Sequence, residues 1–138
     1  MASDLIRVLA VDDNKDLTFI INKLFSQYAD IVLIGAACNG IQALRMIQQH
    51  KVDIVLLDII MPDMDGMEVL KQLQALDGEK PAVIMLSAIG SNDLIDRAMA
   101  LGASGFLLKP VDAVTLIEKI RAIYKSRRNN GLVKIDIG

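Results

Sequence analysis

Residues 54–58 read Ile54-Val55-Leu56-Leu57-Asp58, four apolar positions closed by a carboxylic acid, and the run is too short to be a helix of its own. An apolar run with no outward polar position reads as a strand covered on both faces, the pattern of a parallel sheet with helices above and below it. The chain continues as Ile59-Ile60-Met61-Pro62-Asp63-Met64-Asp65-Gly66, where Pro and Gly mark a loop. An isolated carboxylate is costly to bury, and open parallel sheets bind ligands at the carboxyl ends of their strands. Asp58 is therefore the first candidate for chemistry.

Similar short runs recur on either side: Val8-Leu9-Ala10-Val11, Ile31-Val32-Leu33-Ile34, Val83-Ile84-Met85-Leu86 and Phe106-Leu107-Leu108. Helical spacing fills the gaps. Leu17, Ile20, Ile21, Leu24 and Tyr28 follow the i, i+3, i+4, i+7 pattern, as do Ala113, Leu116, Ile117, Ile120 and Tyr124. A further helix follows Gly66, with Val69, Leu70, Leu73 and Leu76 apolar. Asn39 and Ser91 read as N-caps, and Gly78 and Gly102 stand where helices end in a left-handed residue. Five strands alternate with five helices, which predicts an α/β, doubly wound parallel sheet with right-handed crossovers.

The 138 residues suit one domain. The composition shifts at Lys125-Ser126-Arg127-Arg128, read as a solvated helix end, so the domain is expected over residues 5–125, with 126–138 as a linker stub or tail. Within that tail Leu132–Gly138 alternates weakly like a strand. A net charge of −2 gives no whole-chain argument for nucleic acid or an acidic membrane surface. Cys38 is the one cysteine, so no internal disulfide forms; it is expected to pack, and a reducing, cytoplasmic location follows. No apolar stretch reaches the ~18 residues of a membrane span.

Side by side, the strands bring Asp12 and Asp13, Asp58, Ser87 and Lys109 to one edge. Three crowded carboxylates raise one another's pKa unless a cation joins them, and a single lysine does not balance three charges. A divalent metal is implied. With oxygen donors and no His or Cys, the set favours Mg²⁺, with Mn²⁺ as the alternative. Mg²⁺ keeps open positions for phosphate oxygens.

Val11-Asp12-Asp13-Asn14, Leu57-Asp58 through Gly66, Leu86-Ser87-Ala88 and Leu108-Lys109-Pro110 together resemble the receiver domain of two-component response regulators. The resemblance implies a flavodoxin/CheY-like sheet in the order 2-1-3-4-5. It makes Asp58 the phosphoacceptor for a histidine kinase or histidine phosphotransfer protein, and it places the metal at Asp12, Asp13, Asp58 and the Ile60 carbonyl, with Asp13 the more direct ligand. Ser87 and Lys109 would hold phosphoryl oxygens, Lys109-Pro110 would be cis, and Ser87 with Phe106 would form the switch. The surface of the fourth helix, fifth strand and fifth helix would then change its affinity for an output domain or downstream protein, or for a second copy of the chain. Neither a membrane nor direct nucleic-acid contact is expected for this domain. The Asp-Ile-Ile-Met-Pro run is most similar to receivers of the sporulation master-regulator type.

Ile60 and Ile89 depart from the chemotaxis type, where polar residues flank the phosphoryl pocket, and slow self-hydrolysis is expected from that. Turnover is thus limited to self-phosphorylation and slow self-dephosphorylation. A haloacid-dehalogenase-type phosphatase shares the aspartyl phosphate and the sheet, but its nucleophile follows the first strand in an Asp-x-Asp pattern. A receiver that only binds, without phosphorylation, is the other alternative. Met61, Met64 and Met67 read as packing residues, and His50 as a helix-end residue.

Overall fold

The computed structural model describes residues 5–61 and 65–137, with side chains as far as Arg128. Among these residues the order is β1 (Ile6–Val11), α1 (Lys15–Phe25), β2 (Ile31–Ala37), α2 (Gly40–Gln49), β3 (Ile54–Asp58), α3 (Gly66–Gln74), β4 (Ala82–Ser87), α4 (Asn92–Ala100), β5 (Gly105–Leu108) and α5 (Ala113–Ile137). The strands pair in parallel in the order β2-β1-β3-β4-β5. The expected architecture is the one observed.

Alternation along each strand divides the core in two. Val55 and Leu57 face one way with Leu9, Val11, Val83 and Met85, under Ala43 of α2, Val69, Leu70 and Leu73 of α3, and Ala98 of α4. Ile54 and Leu56 face the other way with Val8, Ile84 and Leu86, against Ile21 and Phe25 of α1 and Leu116, Ile117 and Ile120 of α5. Burial on both sides explains why β3 reads as a continuous apolar run.

Helix ends are fixed by local chemistry. The side chains of Asn39 and Ser91 accept the N–H groups of Gln42 and Leu94 at 2.9 and 3.2 Å, while Gly78 and Gly102 take φ of 85° and 105°. Asn14 caps α1, accepting from Asp16 and Leu17. Four details differ from expectation. Ile20 is exposed beside Phe19, because Ile21 and Phe25, one turn apart, already fill the face toward the sheet. Leu76 lies beyond α3 in the turn that follows it. Cys38 is exposed, at the loop where its N–H donates to Gln42. The strand-like reading of Leu132–Gly138 gives way to helix through Ile137; extending a formed helix gains a hydrogen bond for each residue fixed. Lys125, Arg127 and Arg128 are all exposed, as expected of a solvated helix end, while Arg127 also bonds backbone carbonyls and Arg128 lies 5.9 Å from the Tyr124 ring. Met61 and Met67 are packing residues, whereas Met64 lies outside the described residues.

Candidate functional site

Because β3 is the central strand, Asp58 stands between the end of β1 on one side and the end of β4 on the other. Asp12 follows β1 directly, Ser87 ends β4, and Lys109 follows β5. Strand order alone thus brings the residues singled out in the sequence to one edge. Oxygens of Asp12, Asp13 and Asp58 all lie within 4.8 Å of one another. Asp12 and Asp58 are buried, whereas Asp13 is exposed.

Lys109 reaches in from the sheet's edge. Its Nζ lies 2.8 Å from Asp12 Oδ2 and 3.4 Å from Asp58 Oδ1. The backbone holds it there: Lys109 N–H donates to the Ser87 carbonyl at 2.8 Å, and the Lys109–Pro110 peptide is cis. Burial and then the charge of Asp12 push the Asp58 carboxyl above the ordinary carboxylate range, with Lys109 opposing both. Burial lowers the Lys109 pKa, but the hydrogen bond and charge of Asp12, together with Asp58, outweigh it and leave the ammonium above its usual value. Lys109 is therefore a fixed positive charge between two acids.

The loop after β3 is drawn tight. Ile59 N–H donates to the Leu86 carbonyl at 3.1 Å, and Gly66 N–H to the Ile59 carbonyl at 2.7 Å. Ile60 N–H points at Asp58 Oδ1, 3.4 Å away. A Cβ on Gly66 would stand 2.3 Å from the Asp58 carbonyl oxygen and 2.6 Å from Ile59 Cα, both backbone atoms. Glycine is required at this crossing, where the sequence signal was only a Gly after an acid. That acid, Asp65, caps α3 by accepting from Met67 N–H at 2.9 Å.

Both oxygens of Asp12 are engaged, Oδ1 by Asn14 N–H at 2.8 Å and Oδ2 by Lys109. Three oxygen donors sharing one lysine leave negative charge in surplus, and with no His or Cys in the cluster the set fits a hard divalent cation. Ser87 is buried, its Oγ accepting the Ile89 N–H at 3.0 Å. Phe106 is half-buried against the α2–α4 side of the core. Ile60 and Ile89 are 64% and 54% exposed, so both lie at the surface beside the acids rather than in the core. A cleft of ≈ 520 Å³ opens elsewhere, lined by His50, Lys51, Asp53, Lys80, Tyr124 and Arg127 among others, at the amino end of the sheet and away from this chemistry.

The sequence that builds this edge matches the response regulator receiver domain over residues 8–121. The chain belongs to that family, whose members are signalling switches of two-component systems. It is similar to the signal receiver domain of a protein described as a Luxo repressor of Vibrio parahaemolyticus, at 29% identity over 94% of this chain and 97% of that one, with a TM-score of 0.84. It is also similar to a Borrelia burgdorferi structure of CheX and CheY with BeF3 and Mg²⁺, at 30% identity over 86% and 89% of the chains and a TM-score of 0.80. The response regulator domain of Thermotoga maritima CheB matches at 29% identity over 88% and 97%, again with a TM-score of 0.80. No helix among the described residues is long and apolar enough to cross a membrane.

Proposed function

We propose that the chain is a phosphorylation-controlled switch in which Asp58 accepts a phosphoryl group from a phosphohistidine on a histidine kinase or phosphotransfer protein. The observation that carries this reading is the single lysine 3.4 Å from Asp58, set among acids at the end of the central strand. A carboxylate oxygen of Asp58 attacks phosphorus in line as the histidine nitrogen leaves. Such a transfer needs positioning and charge neutralisation more than bond-making groups.

Asp13, Asp12 and Asp58 would hold Mg²⁺, with the Ile60 carbonyl as a further ligand; Mg²⁺ is a component of the Borrelia complex. When bound, it neutralises charge on the phosphoryl oxygens. Asp13 is the freer ligand, since Asn14 and Lys109 occupy both Asp12 oxygens. Lys109 pairs with one phosphoryl oxygen and the Ser87 O–H donates to another, a use of the hydroxyl proton that its acceptance of the Ile89 N–H leaves open. Phe106 follows by packing inward. The surface of α4, β5 and α5 then changes its affinity for an output domain, a downstream protein or a second copy of the chain.

Ile60 and Ile89 place no polar group at the mouth to orient an attacking water, so the acyl phosphate is long-lived. Borohydride reduction of the phosphorylated protein tests the acceptor, because an acyl phosphate is reduced to the alcohol. Homoserine at position 58 is the expected product, and reduction at any other acid refutes the assignment.

A further inference from the structure

The family match ends at residue 121, yet α5 continues to Ile137. Beyond the match, Arg127 binds the body of the domain. Its Nη1 donates to the Asp53 carbonyl at 3.2 Å and its Nη2 to the Lys80 carbonyl at 2.5 Å. The first of these acceptors is itself held. The Asp53 carbonyl also accepts Ala82 N–H at 3.0 Å, Asp53 N–H donates to the Arg7 carbonyl at 2.8 Å, and Asp53 Oδ2 accepts Arg7 N–H at 2.9 Å. Residue 53 therefore joins β1, β4 and α5 at one point.

Asp53 directly precedes β3, and Lys80 lies two residues before β4. Those strands end in Asp58 and Ser87. Before Arg127, Arg121 pairs with Asp30 at 2.9 Å and lies 5.2 Å from the Tyr28 ring, and Ile120 and Tyr124 pack into the α1/α5 side of the core. Contacts thus run along α5 from its first turns to residue 127.

We infer that Arg127 is a positioning residue that locks the extension of α5 to the amino ends of β3 and β4, so that helix beyond residue 128 is carried as a rigid arm on the two strands that bear Asp58 and Ser87. A planar guanidinium spans two carbonyls at once, which a lysine ammonium on a flexible stem does not reproduce.

Pulsed electron–electron spin resonance on the full chain tests this without phosphate, so its outcome is independent of the role of Asp58. Labels go on Arg45→Cys in α2 and Asn130→Cys in α5, in a Cys38→Ser background. A single narrow distance peak is expected. Arg127→Ala should lose it to a broad distribution, and Arg127→Lys should broaden it in part, while phosphorylation from acetyl phosphate stays unchanged in both. A peak equally narrow in Arg127→Ala, or a broad distribution already present with Arg127 intact, overturns the inference.

Discussion

Replacing Gly66 with alanine places a methyl group 2.3 Å from the Asp58 carbonyl oxygen and 2.6 Å from Ile59 Cα. Neither neighbour is a side chain that swings away, so the β3–α3 loop itself must shift. Overpacking costs about 1–3 kcal/mol, with backbone neighbours at the upper end. Alanine returns up to about 1 kcal/mol through its better helix propensity at the start of α3. The net expectation is a loss of about 1–2 kcal/mol, roughly 4–8 °C in Tm for a domain of this size. Urea unfolding followed by circular dichroism measures it. The same shift moves Ile60, whose N–H faces Asp58 Oδ1, so phosphoryl uptake should slow as well. A Gly66→Ala protein as stable as the parent, with uptake unchanged, would show that the loop accommodates the methyl group without moving.

Three further outcomes follow from the same site. Asp58→Asn should be more stable than the parent in Mg²⁺-free buffer at neutral pH, because burial and Asp12 raise the Asp58 pKa from 3.8 and so penalise its charged form in the folded state. That penalty appears as pH rises from the unfolded value through the raised folded value; the stability gap should therefore close below about pH 4, and a gap independent of pH contradicts the cause given. Mg²⁺ should raise the parent's Tm by mass action, with about 2.7 kcal/mol of stabilisation at a hundredfold excess over Kd, and Asp13→Asn should abolish most of that gain in a calorimetric titration. The acyl phosphate should outlast seconds, and Ile60→Asn, which restores a polar group to orient water, should shorten its life as followed by phosphoprotein gel; a parent half-life of seconds would overturn the role given to Ile60 and Ile89.

The fold was legible because burial on both faces leaves a plain signal: five apolar runs, four of them closed directly by a polar residue, admit few arrangements other than a parallel sheet. The acids at the strand ends were legible for the same reason, since a charge after Leu57 or Val11 has no packing role. What sequence did not convey was orientation around a helix and crossing in space. Ile20 and Ile21 are equally apolar, and only the sheet's position decides that Ile21 is buried and Ile20 exposed. Gly66 reads as a loop residue until β3 is seen beneath it. Arg127 reads as a solvated cation because its acceptors lie 74 and 47 residues away.

The most direct test of the account is intact mass after incubation with acetyl phosphate and Mg²⁺, comparing the parent with Asp58→Ala. A phosphoacceptor at Asp58 gives a Mg²⁺-dependent gain of one phosphoryl group, about 80 Da, in the parent and none in the variant. An equal gain in Asp58→Ala, or no gain in either protein, would contradict it.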